Sequence, residues 1–201
     1  MCSSDLGHPR GRVGINAVLG GAGAQLLREL DDLRAGCSEV VLNGNVTTGV
    51  IVAAIERGMS VAQGIAHADA LGLLETDPTL DFDGSDATVK LLSVVGAVFG
   101  AAGATAPAFH EVVREDVRQL DAKLLQDRFR RGRTTRLLAR ANRSGLLQVR
   151  FEEIAPDSPL VVPPDRVAYG YVVGGHLRVH VGFGVGYRGT ANAMMADILP
   201  G

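Results

Sequence analysis

The sequence predicts an α+β chain, with helices packed on an antiparallel sheet. Three observations carry this reading. Apolar residues recur at helical spacing through the first half, and the second half breaks into short alternating runs bounded by turn residues. Of the 201 residues, 46% are hydrophobic and 21% charged, enough apolar surface for a real core. At about 150 residues per domain, the length allows one large domain or two small ones.

The elements follow in order. Gln25 to Arg34 carries Leu26, Leu27, Leu30 and Leu33 at helical spacing, with Gly36 set to end it. Ser38 to Leu42 is a short apolar run suited to a buried strand, and Thr47 to Arg57 reads as a helix stopped by Gly58. Ser60 and Gln63 form a capping box that opens a further helix ending near Gly72. Leu73 to Gly84, with Pro78 and a dense set of acids, reads as a loop, and Ser85 to Phe99 as a central helix buried nearly all round. After the loop at Pro107 and a basic helix over Asp121 to Arg131, strands dominate: Thr134 to Ala141, Leu146 to Ile154, Val167 to Val173 and Leu177 to Phe183. Ser144-Gly145 and Gly174-Gly175 supply hairpin turns, so the predicted sheet is an antiparallel meander. A last helix over Thr190 to Leu199 would bury Met194, Met195 and Ile198.

Composition excludes several classes. The 20 basic and 22 acidic residues leave a formal net charge of -2, which speaks against a chain that coats nucleic acid or an anionic membrane. Seven arginines between Arg128 and Arg143 make a local basic patch, but helix and strand periodicity scatter them over several faces. Cys2 and Cys37 are too few for a disulfide scaffold and lack metal-ligand spacing, so a reducing cytoplasm is expected. His67, His110, His176 and His180 form no ligand pair with a nearby carboxylate, and no metal is expected. Leu91 to Ala108 is the longest apolar stretch, and Ser93, three glycines and Pro107 interrupt it too often for a membrane span. The opening Met-Cys-Ser-Ser-Asp-Leu has no signal-peptide pattern and matches a sequencing adapter translated from a GTG start. Residues 1–15 are therefore expected to be a foreign or disordered terminus.

The chemistry concentrates between Glu75 and Lys90. This stretch holds five carboxylates and ends on a lysine inside an apolar helix. Asp86 and Lys90, four apart, share a helix face. On an exposed surface such a pair contributes only a few tenths of a kcal/mol. In a cleft, burial would oppose the lysine's charge while the carboxylates favour it, the balance that acid-base chemistry needs. A calcium loop fails at both ends: Asp81, Asp83 and Gly84 fit positions three, five and six, but Thr79 would stand first and Lys90 where a bidentate Glu is required.

Glu75-x-Asp77-Pro78-x-x-Asp81-x-x-Gly84-x-Asp86-x-x-x-Lys90 resembles the substrate-binding signature of homoserine dehydrogenases. Asn43-Gly44 after a strand resembles that family's Asn-Gly-Thr element, and Asn16 to Gly23 its Glu-Ala-x-Val-x-x-Gly segment. In the tail, Gly184-x-Gly186-x-x-Gly189 fits a dinucleotide fingerprint, but only twelve residues follow it, too few for a βαβ unit. The resemblance reads it instead, with Gly182, Thr190 and Ala191, as the turn that carries the chain back to a nucleotide-binding domain.

What the resemblance implies is a catalytic and dimerisation domain over 16–181, and over 182–201 a segment belonging to an incomplete Rossmann-type domain whose main part, expected before Asn16, is lacking. It implies reduction of L-aspartate 4-semialdehyde to L-homoserine with NAD or NADP, in a cytoplasmic homodimer, with the isolated chain inactive. Lys90 would give or take the alcohol proton and Asp86 would orient it. Glu75 and Asp81 would hold the substrate ammonium, Gly44 and Asn45 would contact substrate, and Gly182, Gly184, Gly186 and Thr190 would approach the cofactor. The chain departs from the pattern at Asn16, where a Glu beside a monovalent cation is usual, at Asn45, which replaces a threonine, and at Leu73, which replaces a tyrosine. Two other readings stay open: an oxidoreductase for another polar aldehyde, and a non-catalytic dimerisation module.

Overall fold

The computed structural model describes residues 18–100 and 107–184, together with 191, 194 and 195. The expected first helix is two short ones, α1 (Gly23–Arg28) and α2 (Leu30–Gly36). The chain leaves helical geometry at Glu29 (φ −101°, ψ 6°), whose carboxylate meets His180 Nε2 at 3.3 Å. Next come strand β1 (Cys37–Asn43) and helices α3 (Val46–Glu56) and α4 (Val61–Ala70). The capping box forms as expected: Gln63 N donates to Ser60 Oγ at 3.2 Å and Ser60 N to Gln63 Oε1 at 2.9 Å. The acidic loop contains one helical turn, α5 (Thr79–Phe82), ahead of α6 (Ser85–Val98). Helix α6 is one-sided and not buried all round, because Val89 is half-exposed.

Strand β2 (Val113–Arg114) and helix α7 (Ala122–Arg130) lead into two hairpins, β3 (Thr134–Asn142) with β4 (Leu147–Ile154) and β5 (Arg166–Val173) with β6 (His176–Phe183). The β5–β6 turn places Gly174 and Gly175 at φ +59° and +79°, which fits glycine best. The sheet is not a simple meander. Its order is β2-β4-β3-β1-β5-β6, so β1 from the first half enters between the hairpins, antiparallel to both neighbours. From Val40 to Asn43 both faces of β1 are buried, a requirement that a central position meets and an edge does not.

Helices α2, α3 and α6 cover one face of the sheet, where Leu42, Tyr169, Leu137, Leu91, Val94 and Ile55 form the main core. On the other face Val41, Leu138 and Ala168 pack under Leu160, leaving Leu177, Val181 and Phe183 of β6 between 40% and 53% exposed. The arginine patch is largely neutralised by carboxylates: Arg128, Arg131 and Arg133 surround Glu153, Arg136 faces the buried Glu56, and Arg140 pairs with Glu39 and Glu152. Residues 191, 194 and 195 are helical, but Met194 and Met195 are about half exposed and not buried, no described element covering them. Ile198 lies outside the described residues, as do residues 1–15 and Asn16.

Candidate active site

The site is assembled where β1 ends. Beyond Asn43 the chain runs through Gly44, and Asn45, still extended, caps α3: its Oδ1 accepts from Thr48 N at 2.9 Å and from Thr48 Oγ1 at 3.1 Å. Asn and Thr three apart is a helix-start pattern, and the cap fixes which way the Asn45 amide points. From the other side comes the α5–α6 corner. Gly84 sits in the left-handed region (φ +76°), where a side chain would be strained and its Cβ would press on Val149 at 3.2 Å. This reversal turns Asp81 of α5 and Asp86 in the first turn of α6 toward one point.

That point is the Asn45 amide. Asn45 Nδ2 donates to Asp81 Oδ1 at 2.7 Å and to Asp86 Oδ2 at 3.0 Å, and Asn45 is only 5% exposed. One turn along α6, Lys90 Nζ donates to Asp86 Oδ2 and to the Gly44 carbonyl, both at 2.7 Å. The Lys90 side chain is 18% exposed and that of Asp86 32%, so the pair is partly buried, neither in bulk water nor in the core. Burial pushes the Asp81 carboxyl above its ordinary value, with the Asp86 charge adding to the rise; the hydrogen bond from Asn45, the Lys90 charge and Thr47 oppose it.

Sequence reading missed Tyr169. It is fully buried on β5, and among the described residues its hydroxyl has no hydrogen-bond partner. A Cβ added to Gly44 would lie 3.5 Å from both this hydroxyl and Lys90 Cδ, so Tyr169 and the lysine stem flank the same glycine. Burial, then the Asp86 charge, pushes the phenol well above its ordinary value. The signal was present in the alternation of Val167, Tyr169 and Tyr171, which puts all three on the helix-covered face of β5.

The remaining expected residues are not brought to this cluster. Glu75 stays exposed on the loop after α4 and forms no hydrogen bond or ion pair with another described residue. Leu73, also on that loop, is half-buried and its carbonyl accepts from Thr47 Oγ1 at 3.3 Å. Gly182 is packed against the Gly20 turn, where a Cβ would collide with the Gly20 carbonyl, and a Cβ on Gly184 would collide with Val46. Gly186 and Thr190 lie outside the described residues. Beside Asn43 and Asn45 a cavity of about 360 Å³ opens between α3 and the segment 162–166, but Lys90 and Asp86 do not line it. Among the described residues no three His, Cys, Asp or Glu side chains converge as a metal centre.

A lysine clamped between a backbone carbonyl and an aspartate, with a second carboxylate alongside, can hand a proton to an oxygen and receive it back. Comparison with known proteins bears on the family of the chain. The family model described as homoserine dehydrogenase matches residues 31–199. The homoserine dehydrogenase of Neisseria gonorrhoeae is 28% identical over 165 residues, which cover 79% of this chain and 37% of that protein. The crystal structure of a homoserine dehydrogenase from Thiobacillus denitrificans superposes with a TM-score of 0.79 at 24% identity, over 91% of this chain and 43% of that one. A hyperthermophilic archaeal homoserine dehydrogenase mutant in complex with NADPH does so with a TM-score of 0.74 at 24% identity, over 91% of this chain and 53% of that one. The chain thus spans about half the length of these relatives or less. Matched by the family model from α2 to the tail, it is a member of the homoserine dehydrogenase family.

Proposed function

We propose that this chain carries the proton-handling and substrate-binding part of an enzyme that interconverts L-aspartate 4-semialdehyde and L-homoserine with NAD or NADP. The observation that carries the reading is the position of Lys90 Nζ, 2.7 Å from both the Gly44 carbonyl and Asp86 Oδ2. An ammonium has three N–H groups. Two are spent on these acceptors, and the third is left for a substrate oxygen. In reduction Lys90 gives its proton to the aldehyde oxygen as the alcohol forms, and in oxidation it takes the proton back. Asp86 orients the ammonium. Asp81 and Glu75 hold the substrate's own ammonium, which needs charged acceptors when it leaves water. The Gly44–Asn45 link between β1 and α3 offers the substrate its backbone.

A nicotinamide cofactor supplies the hydride when bound. Gly182 and Gly184, the described glycines assigned to it, are packed against the chain's own Gly20 turn and Val46, and build no dinucleotide cradle by themselves. The solved relative in complex with NADPH and the family membership support the cofactor.

The same reading includes a cytoplasmic homodimer. Leu177, Val181 and Phe183 form an apolar stripe on the face of the sheet away from the helices, which a second copy would cover. Cys37, a free buried thiol, suits a reducing compartment, and among the described residues no helix is long and apolar enough to cross a membrane. The test is a substrate panel on this chain joined to a nucleotide-binding domain of the family. Aspartate semialdehyde should be reduced far faster than aldehydes that lack the α-amino group. Equal rates on the latter would reject the substrate assignment in favour of another polar aldehyde.

A further inference from the structure

Asn45 stands where the family resemblance has a threonine, and its amide is wholly occupied within the protein. Its Oδ1 takes the Thr48 N–H and hydroxyl, and its two Nδ2 hydrogens go one each to Asp81 and Asp86. These two carboxylates come from different helices, 36 and 41 residues further along the chain, and no described cation other than Lys90 pairs with either. Without a shared donor, two carboxylates this close would repel and splay apart. A threonine retains the cap but offers one O–H, which can satisfy only one of them.

We infer that Asn45 is a positioning residue: its amide clamps Asp81 to Asp86, and so fixes Asp86 Oδ2, the atom that accepts from both Asn45 and Lys90, beneath the lysine ammonium. The side chain acts on substrate through the carboxylates and does not touch it. This deepens, and rests on, the reading of Asp86 and Lys90 as the proton-handling pair. It also gives a reason why an asparagine is accommodated here: the cap that a threonine would supply is retained, and a second donor is gained. The charged and titratable groups around the clamp are Asp81 on α5, Asp86 and Lys90 on α6, and the Tyr169 phenol behind Gly44 on β5.

Two substitutions separate clamping from capping. Asn45→Asp keeps the shape and a strong cap but removes both hydrogens and adds a third negative charge; Asn45→Thr keeps the cap and one hydrogen. Carboxyl-carbon NMR of the chain, as a function of pH, reads the Asp81 titration directly and needs no turnover, so it stands whether or not the catalytic assignment does. The Asp81 titration should move to higher pH in Asn45→Thr and further in Asn45→Asp, while circular dichroism shows both variants folded. In the unaltered chain the Asn45 side-chain N–H signals should follow the Asp81 titration and exchange slowly with water. An Asp81 titration unchanged in Asn45→Thr, or Asn45 N–H signals insensitive to it, would overturn the inference and leave Asn45 as a helix cap alone. If Asn45→Asp does not fold, Asn45→Thr and the unaltered chain still decide the question.

Discussion

Replacing Lys90 with methionine removes the ammonium while keeping most of the stem that lies against Gly44, so it separates the charge from the packing. Two magnitudes follow. In an enzyme completed by a nucleotide-binding domain, loss of a general acid-base group slows turnover by about a hundredfold to ten-thousandfold, equivalent to ~3–5 kcal/mol of barrier. On stability, the variant leaves Asp86 and Asp81 facing each other without their cation. Breaking a fully buried pair costs about 3–5 kcal/mol and an exposed one under ~1 kcal/mol. With side chains 18% and 32% exposed, the Lys90–Asp86 pair falls between these limits, at about 1–2 kcal/mol. For a chain of 201 residues that lowers the melting temperature by roughly 2–8 °C. The assays are semialdehyde reduction at saturating substrate and a thermal melt followed by circular dichroism. A variant with the expected loss of stability but near-normal turnover would refute the acid-base assignment and leave Lys90 as a structural partner of Asp86.

Glu75→Gln should raise the Michaelis constant about tenfold, ~1.4 kcal/mol, with a smaller change in turnover, since the contact proposed for it with the substrate ammonium would be made in ground and transition states alike; steady-state kinetics would show the split. Asp81 holds its proton more tightly in the folded chain than in the unfolded one, so the stability tied to that proton is present at low pH and is lost as pH rises through the raised folded value. Asp81→Asn should therefore stabilise the chain at neutral pH and flatten the decline above about pH 4, measured by urea unfolding across pH. Val181→Lys puts a charge into the apolar stripe of β6 and should shift the species seen by light scattering from dimer to monomer without unfolding the sheet.

Local chemistry was legible in this sequence, and long-range neighbours were not. The Ser60–Gln63 capping box and the Gly174-Gly175 hairpin are short-range devices, and both form as read. The position of β1 between β3 and β5 is a different kind of fact. Its apolar run says that the strand is buried on both faces, but any two neighbours would meet that need. The break at Glu29 escaped the pattern of leucines because Leu26 and Leu33 are both buried on either side of it, while the residue itself turns toward His180 on β6 and Leu27 is left exposed. Asp86 and Lys90 could be paired from their spacing of four. Asp81 joins them through the left-handed turn at Gly84, and Asn45 through a separation of about forty residues, which periodicity cannot span. Tyr169 reads as an ordinary inward strand residue until β1 and β5 are paired, with Leu42 opposite Tyr169.

The most direct test of the account is a crystal structure of this chain with L-homoserine bound. The account predicts the homoserine hydroxyl at hydrogen-bond distance, about 2.6–3.2 Å, from Lys90 Nζ, with the substrate ammonium toward Asp81 and Glu75 and the Asn45 amide still bridging Asp81 and Asp86. Homoserine bound with its hydroxyl out of reach of Lys90, while Lys90 Nζ remains held between the Gly44 carbonyl and Asp86, would contradict it.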